Sequence, residues 1–80
     1  MMITGDERMR VGRMSEYFIN TKDDAVFSLE GNDNLASIEV INGQRCKIRA
    51  NNDNKLGVIK LKATTETQTA YKDIEIVSLW

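Results

Sequence analysis

The chain has 80 residues, enough for one domain with a thin core and too few for a catalytic domain beside a cofactor domain. Its 11 basic and 12 acidic residues give a net charge of −1, without the basic surplus that nucleic-acid binding brings. An apolar share of 41% places it among folded rather than disordered chains.

No apolar run approaches the ~20 residues needed to span a bilayer. Ile3-Thr4-Gly5-Asp6-Glu7, after Met1 and Met2, does not read as a signal peptide. The single cysteine, Cys46, excludes an internal disulfide and a thiolate metal cluster within one chain. Proline and histidine are both missing.

Residues 1–14 carry four methionines, Gly5 and Gly12, and the charged run Asp6-Glu7-Arg8-Met9-Arg10. They follow neither a period of 2 nor one of 3.6, so a linker or N-terminal arm is expected, with a short strand near its end. The doubled Met1-Met2 suggests an initiator added to an excised fragment.

From Ser15 the pattern is β. Ser15-Glu16-Tyr17-Phe18-Ile19 is aromatic and β-branched and ends at the turn cluster Asn20-Thr21-Lys22-Asp23-Asp24. Tyr17 and Phe18 are adjacent, so in a strand one faces the core and the other is left as a contact. The next strand puts Ala25, Phe27 and Leu29 on one face, before the turn Gly31-Asn32-Asp33-Asn34. In the strand from Leu35 to Ile41, Ala36, Ile38 and Val40 share a face opposite Ser37 and Glu39. Asn42-Gly43 is a strong hairpin signal, expected as a turn whose two central residues take positive φ. Cys46, Ile48 and Ala50 then alternate inward against Arg45, Lys47 and Arg49. After Asn51-Asn52-Asp53-Asn54, Ile59, Leu61 and Ala63 point inward and Lys60 and Lys62 outward. Thr64 to Thr69 reads as a strand end and loop. The last strand, from Ala70, sets Ile74 and Ile76 inward and Asp73 and Glu75 outward. Six to seven short strands at regular spacing predict an all-β two-sheet antiparallel sandwich over residues 15–80, with a small barrel as the rival. Charge predicts that the strand of Arg45, Lys47 and Arg49 neighbours the strand of Asp73 and Glu75.

The succession Ala36-Ser37-Ile38, Asn42-Gly43, Cys46-Lys47-Ile48-Arg49-Ala50, Gly57-Val58-Ile59-Lys60-Leu61-Lys62-Ala63 and Lys72-Asp73-Ile74-Glu75-Ile76 resembles the bacterial Ig-like (BIG) family. It is most similar to the Ig-like domains that end many bacteriophage virion proteins. There, a C-x-I-x-A strand precedes a G-x-I-x-L-x-A strand and the chain stops soon after a final I-x-I strand, as Ser78-Leu79-Trp80 does here. The resemblance runs from Phe27 to Trp80; where many bacterial members have a core tryptophan in an early strand, Phe27 stands nearest. It implies an all-β, immunoglobulin-like two-sheet sandwich that serves as a non-catalytic C-terminal module of a phage or prophage virion protein. Its partners would be other virion or surface subunits, and its place the virion, or the bacterial cytoplasm when expressed from a prophage. No cofactor, nucleic acid or membrane is implied, and the isolated domain is expected to be monomeric.

Candidate sites are few. Without histidine, Cys46 and the serines lack the usual activating base, and an inward Cys46 is a core residue. Asp23-Asp24, Asn32-Asp33-Asn34 and the Asn51 to Asn54 cluster offer oxygen ligands, but lack calcium-loop spacing and are expected as turn formers. Arg45, Lys47, Arg49, Lys60 and Lys62 would make a basic contact face for a neighbouring subunit, an acidic glycan or a teichoic acid, unless they form an ordinary solvated sheet face. Trp80 folds back on the sandwich or plugs into a partner. The alternative function is a cell-surface carbohydrate-binding (adhesion) module, which would need an exposed aromatic platform. With five aromatic residues in all, some of them required by the core, the structural reading is preferred.

Overall fold

The computed structural model describes residues 1–31 and 33–78, Asp33 by its backbone alone. Eight strands are present among the described residues: β1 (Ile3–Thr4), β2 (Arg8–Arg10), β3 (Met14–Ile19), β4 (Val26–Gly31), β5 (Ala36–Asn42), β6 (Arg45–Ala50), β7 (Gly57–Thr64) and β8 (Thr69–Val77). A short 3-10 turn at Asp33–Leu35 precedes β5. One sheet runs β1-β3-β6-β5 and the other β2-β8-β7-β4. Taken as strands A, A′, B, C, D, E, F and G in chain order, these are the A-B-E-D and A′-G-F-C sheets of an immunoglobulin sandwich. Every pairing is antiparallel except β2 with β8, which is parallel.

The core lies between the sheets. Tyr17, Cys46, Ile48, Ile59, Leu61 and Ile74 are wholly buried, with Ala50, Ala63 and Ile76 beside them. These are the inward positions of the four central strands, where the period of 2 is cleanest. Tyr17 is the core member of the Tyr17–Phe18 pair and Phe18 faces out.

The N-terminal segment is not an arm. β1 pairs with β3, β2 pairs with β8, and Ile3, Met9 and Val11 are buried in the common core. β1 and β2 bring the count to eight against the expected six to seven. This segment crosses between the sheets twice. At Gly5 and Asp6 it passes over the ring of Tyr17, so closely that a Cβ on Gly5 would overlap that ring. At Val11 and Gly12 it returns: Val11 N–H donates to the Val77 carbonyl in one sheet, and Gly12 N–H to the Ala50 carbonyl in the other. Gly12 takes φ +76° there, a left-handed conformation that favours glycine.

The β5–β6 hairpin forms as expected, with a different turn. Neither Asn42 nor Gly43 takes a positive φ. The loop residues are Gly43 and Gln44, the Asn42 side-chain oxygen accepts from Gln44 N–H at 2.8 Å, and a bulge at Ile41 shifts the register between Val40 and Asn42. The Asx turn fixes the bend and the bulge supplies twist that a primed turn would otherwise provide.

The charge-based neighbour assignment is also corrected. β6 and β8 lie in different sheets. The acids opposite Lys47 are Glu16 on β3 and Glu39 on β5, while Asp73 stands opposite Lys60.

Candidate functional site

Alternation carries Arg45, Lys47 and Arg49 to the outer face of the β1-β3-β6-β5 sheet, and Lys60 and Lys62 to the outer face of the other. The five cations therefore do not form one basic face. Lys60 and Lys62 belong to a balanced set: Lys60 lies 3.9 Å from Asp73, Lys62 lies 3.5 Å from Glu30, and Arg8 pairs with Glu75 at 3.1 Å. The ring of Tyr71 sits 5.5 Å from the Lys60 ammonium and 5.9 Å from that of Lys62, within cation–π range. Such exposed pairs each contribute at most about 1 kcal/mol and make a solvated surface.

The β1-β3-β6-β5 face is less balanced. Arg45 pairs with Glu16 at 3.3 Å, whereas the Arg49 guanidinium donates to the Met14 thioether at 3.7 Å, a weak acceptor. Met14 and Phe18 are exposed on this face, and a shallow recess is lined by Met14, Ser37, Glu39, Lys47 and Arg49.

β5 forms one edge of the same sheet. It pairs with β6, and among the described residues no strand pairs with its other side. Ala36 is buried and Ile38 half-buried, but Val40 is 54% exposed, so the expected inward face of this strand is covered only at its start. Ile41, carried on the bulge, is exposed as well. A period of 2 gives the direction in which Val40 points; it does not tell whether the opposite sheet reaches far enough to cover it. Length and β-branched content do not mark this strand as an edge, because the central strands β7 and β8 are longer and are β-branched as well.

The nucleophile and ligand candidates sit in structural roles. Cys46 is wholly buried and burial pushes its thiol up to about 11, far from the thiolate that nucleophilic chemistry needs. Asp23 and Asp24 lie in the loop between β3 and β4, which is bound to the β5–β6 turn. Gln44 Nε2 donates to the carbonyls of Lys22 and Asp23 and to Asp24 Oδ1 at 3.0–3.2 Å, and Ala25 N–H donates to the Gly43 carbonyl. Gln44 is a tether that carried no sequence signal, because its partners, two backbone carbonyls and one carboxylate, lie 20 to 22 residues away in the chain. In the third cluster, Asn51 Nδ2 donates to the Asn34 carbonyl, Asp53 Oδ1 accepts from Lys55 N–H, and Asn54 takes φ 61°. Among the described residues no three acidic or thiol side chains converge as a metal site. Asn32 and Trp80 lie outside the described residues.

No family model matches this chain, and no curated protein matches it in sequence.

Proposed function

We propose that the chain is a non-catalytic immunoglobulin-like interaction module that joins protein subunits, and that its setting is the C-terminal end of a bacteriophage or prophage virion protein. The observation that carries the interaction reading is β5: seven residues along a sheet edge, one side unpaired among the described residues, with Val40 and Ile41 exposed. Open edges of this kind recruit another chain through main-chain hydrogen bonds, and flanking side chains set the choice of partner. The virion setting rests on the strand pattern from Phe27 to Trp80. In that setting the module resides in the particle, or in the host cytoplasm before assembly.

The carbohydrate reading has less support. Its two exposed aromatic candidates among the described residues, Phe18 and Tyr71, stand on opposite sheets and cannot make one stacking platform.

Tryptic mass spectrometry of purified particles tests the setting. The peptide from Ala63 to Lys72 is expected to copurify with virions from cells that produce the chain. Its recovery only with the cell-wall fraction would overturn the virion reading in favour of adhesion.

A further inference from the structure

The open side of β5 has a pattern of its own. Ala36, Ile38 and Val40 face inward, and Ser37 and Glu39 outward. The bulge at Ile41 ends the regular strand, so five residues present a straight edge. β1 and β2 are edges of two and three residues, too short to pair strongly. β4 is an edge of six residues, but the cations on its neighbour β7 already pair with Glu30 and Asp73.

Antiparallel pairing of β5 with itself about Ile38 is complementary at each position. On the inner face Ile38 meets Ile38 of the second copy, and Ala36 meets Val40, covering the exposed Val40 with a small partner. On the outer face Ser37 meets Glu39 of the second copy. One strand further in, Arg49 stands opposite Ser37, and among the described residues its guanidinium meets the Met14 sulfur, a weak acceptor, rather than a carboxylate. With strands about 4.8 Å apart, the Cα atoms of Arg49 and of the second copy's Glu39 lie roughly 10 Å apart, within the combined reach of the two side chains over the small Ser37. The two-fold makes this pair twice. A register centred on Glu39 would set two carboxylates face to face, which is unfavourable.

We propose that a second copy of this chain occupies the edge of β5, antiparallel and centred on Ile38, joining the two four-stranded sheets into one of eight strands. This rests on the reading of the chain as a subunit-joining module and names its partner. A single strand pair buries less than the ~1,200 Å² total of a standard interface, so the association is weak, with Kd of order 0.1–1 mM. The isolated domain is then monomeric when dilute, and the contact gains strength where many copies are held together, as on a particle.

Sedimentation equilibrium of the whole chain from about 10 µM to about 1 mM tests this. The average mass is expected to rise from one chain toward two. Val40→Lys should weaken association at least tenfold with the far-UV spectrum and melting temperature retained, since Val40 is exposed. Glu39→Arg and Arg49→Glu should each be monomeric alone, and their equimolar mixture should associate, because the mixture restores both opposite-charge pairs. A wild-type chain that stays monomeric at about 1 mM overturns the proposal. So does a Val40→Lys chain that associates as wild type, or charge variants that do not associate when mixed. These outcomes leave the recovery of the peptide in virions unaffected, so the two proposals fail separately.

Discussion

The Tyr17 hydroxyl donates to the backbone carbonyl of Asp6 at 2.8 Å, across the crossing where the chain leaves one sheet for the other. The Asp6 carboxylate in turn accepts from Ser15 Oγ at 2.8 Å, and the Tyr17 ring forms the floor beneath Gly5. One core side chain thus anchors the N-terminal crossing. Tyr17→Phe keeps the ring and leaves the Asp6 carbonyl without this donor, for an expected cost of about 0.5–1.5 kcal/mol. Tyr17→Ala removes the floor too and should cost about 3–5 kcal/mol. Urea melts of the two variants measure the difference.

Stability should decline on the alkaline side. Burial, helped by the charge of Asp6, raises the Tyr17 phenol from 10.0 to about 12, and burial alone raises Cys46 from 9.0 to about 11. Both groups hold their protons in the folded chain at pH values where the unfolded chain has released them. Their contribution is complete below the unfolded values and is lost as pH rises, from about 9 to 11 for Cys46 and from about 10 to 12 for Tyr17. Melts between pH 8 and about 11.5 should show this decline, with Cys46→Ala flattening its lower part and Tyr17→Phe its upper part.

Gly43 is fixed by space rather than by φ. A Cβ there would overlap the Asp24 side chain, which the Gln44 amide also holds. Gly43→Ala is expected to cost about 1–3 kcal/mol by overpacking, and Asp24→Ala in that background should recover most of the loss. A double-mutant cycle in thermal melts reads the coupling.

Ile48→Ala and Ile59→Ala each empty a wholly buried site and should cost about 2–5 kcal/mol, enough to unfold much of a domain this small. Lys60→Glu should leave the fold intact. It places a carboxylate beside Asp73 and Glu30, on an exposed face, for a loss of about 1 kcal/mol. Circular dichroism melts separate the two classes.

The inward faces that read most cleanly from sequence belong to central strands, each flanked on both sides and roofed by the other sheet. Cys46-Ile48-Ala50, Ile59-Leu61-Ala63 and Ile74-Ile76 alternate because every inward position is fully covered. The strands of Ile3–Thr4 and Arg8–Arg10 are too short to display a period, and their assignment depends on long-range pairing with β3 and β8. Val40 fails for the opposite reason, since its strand alternates well but lies beyond the cover of the facing sheet. Charge could not order the strands, because both sheets carry acids and bases on their outer faces. The candidate basic face divided in two for the same reason: Arg45, Lys47 and Arg49 lie in one sheet, Lys60 and Lys62 in the other.

The sandwich stands or falls on whether the first fourteen residues complete both sheets. Cross-strand nuclear Overhauser effects in the isolated chain test this directly. The fold predicts contacts of Ile3 with Ile19, antiparallel in one sheet, and of Met9 with Ile76, parallel in the other. Strong cross-strand effects from Ser15 onward, with neither of these two, would contradict it and return residues 1–14 to the status of an arm.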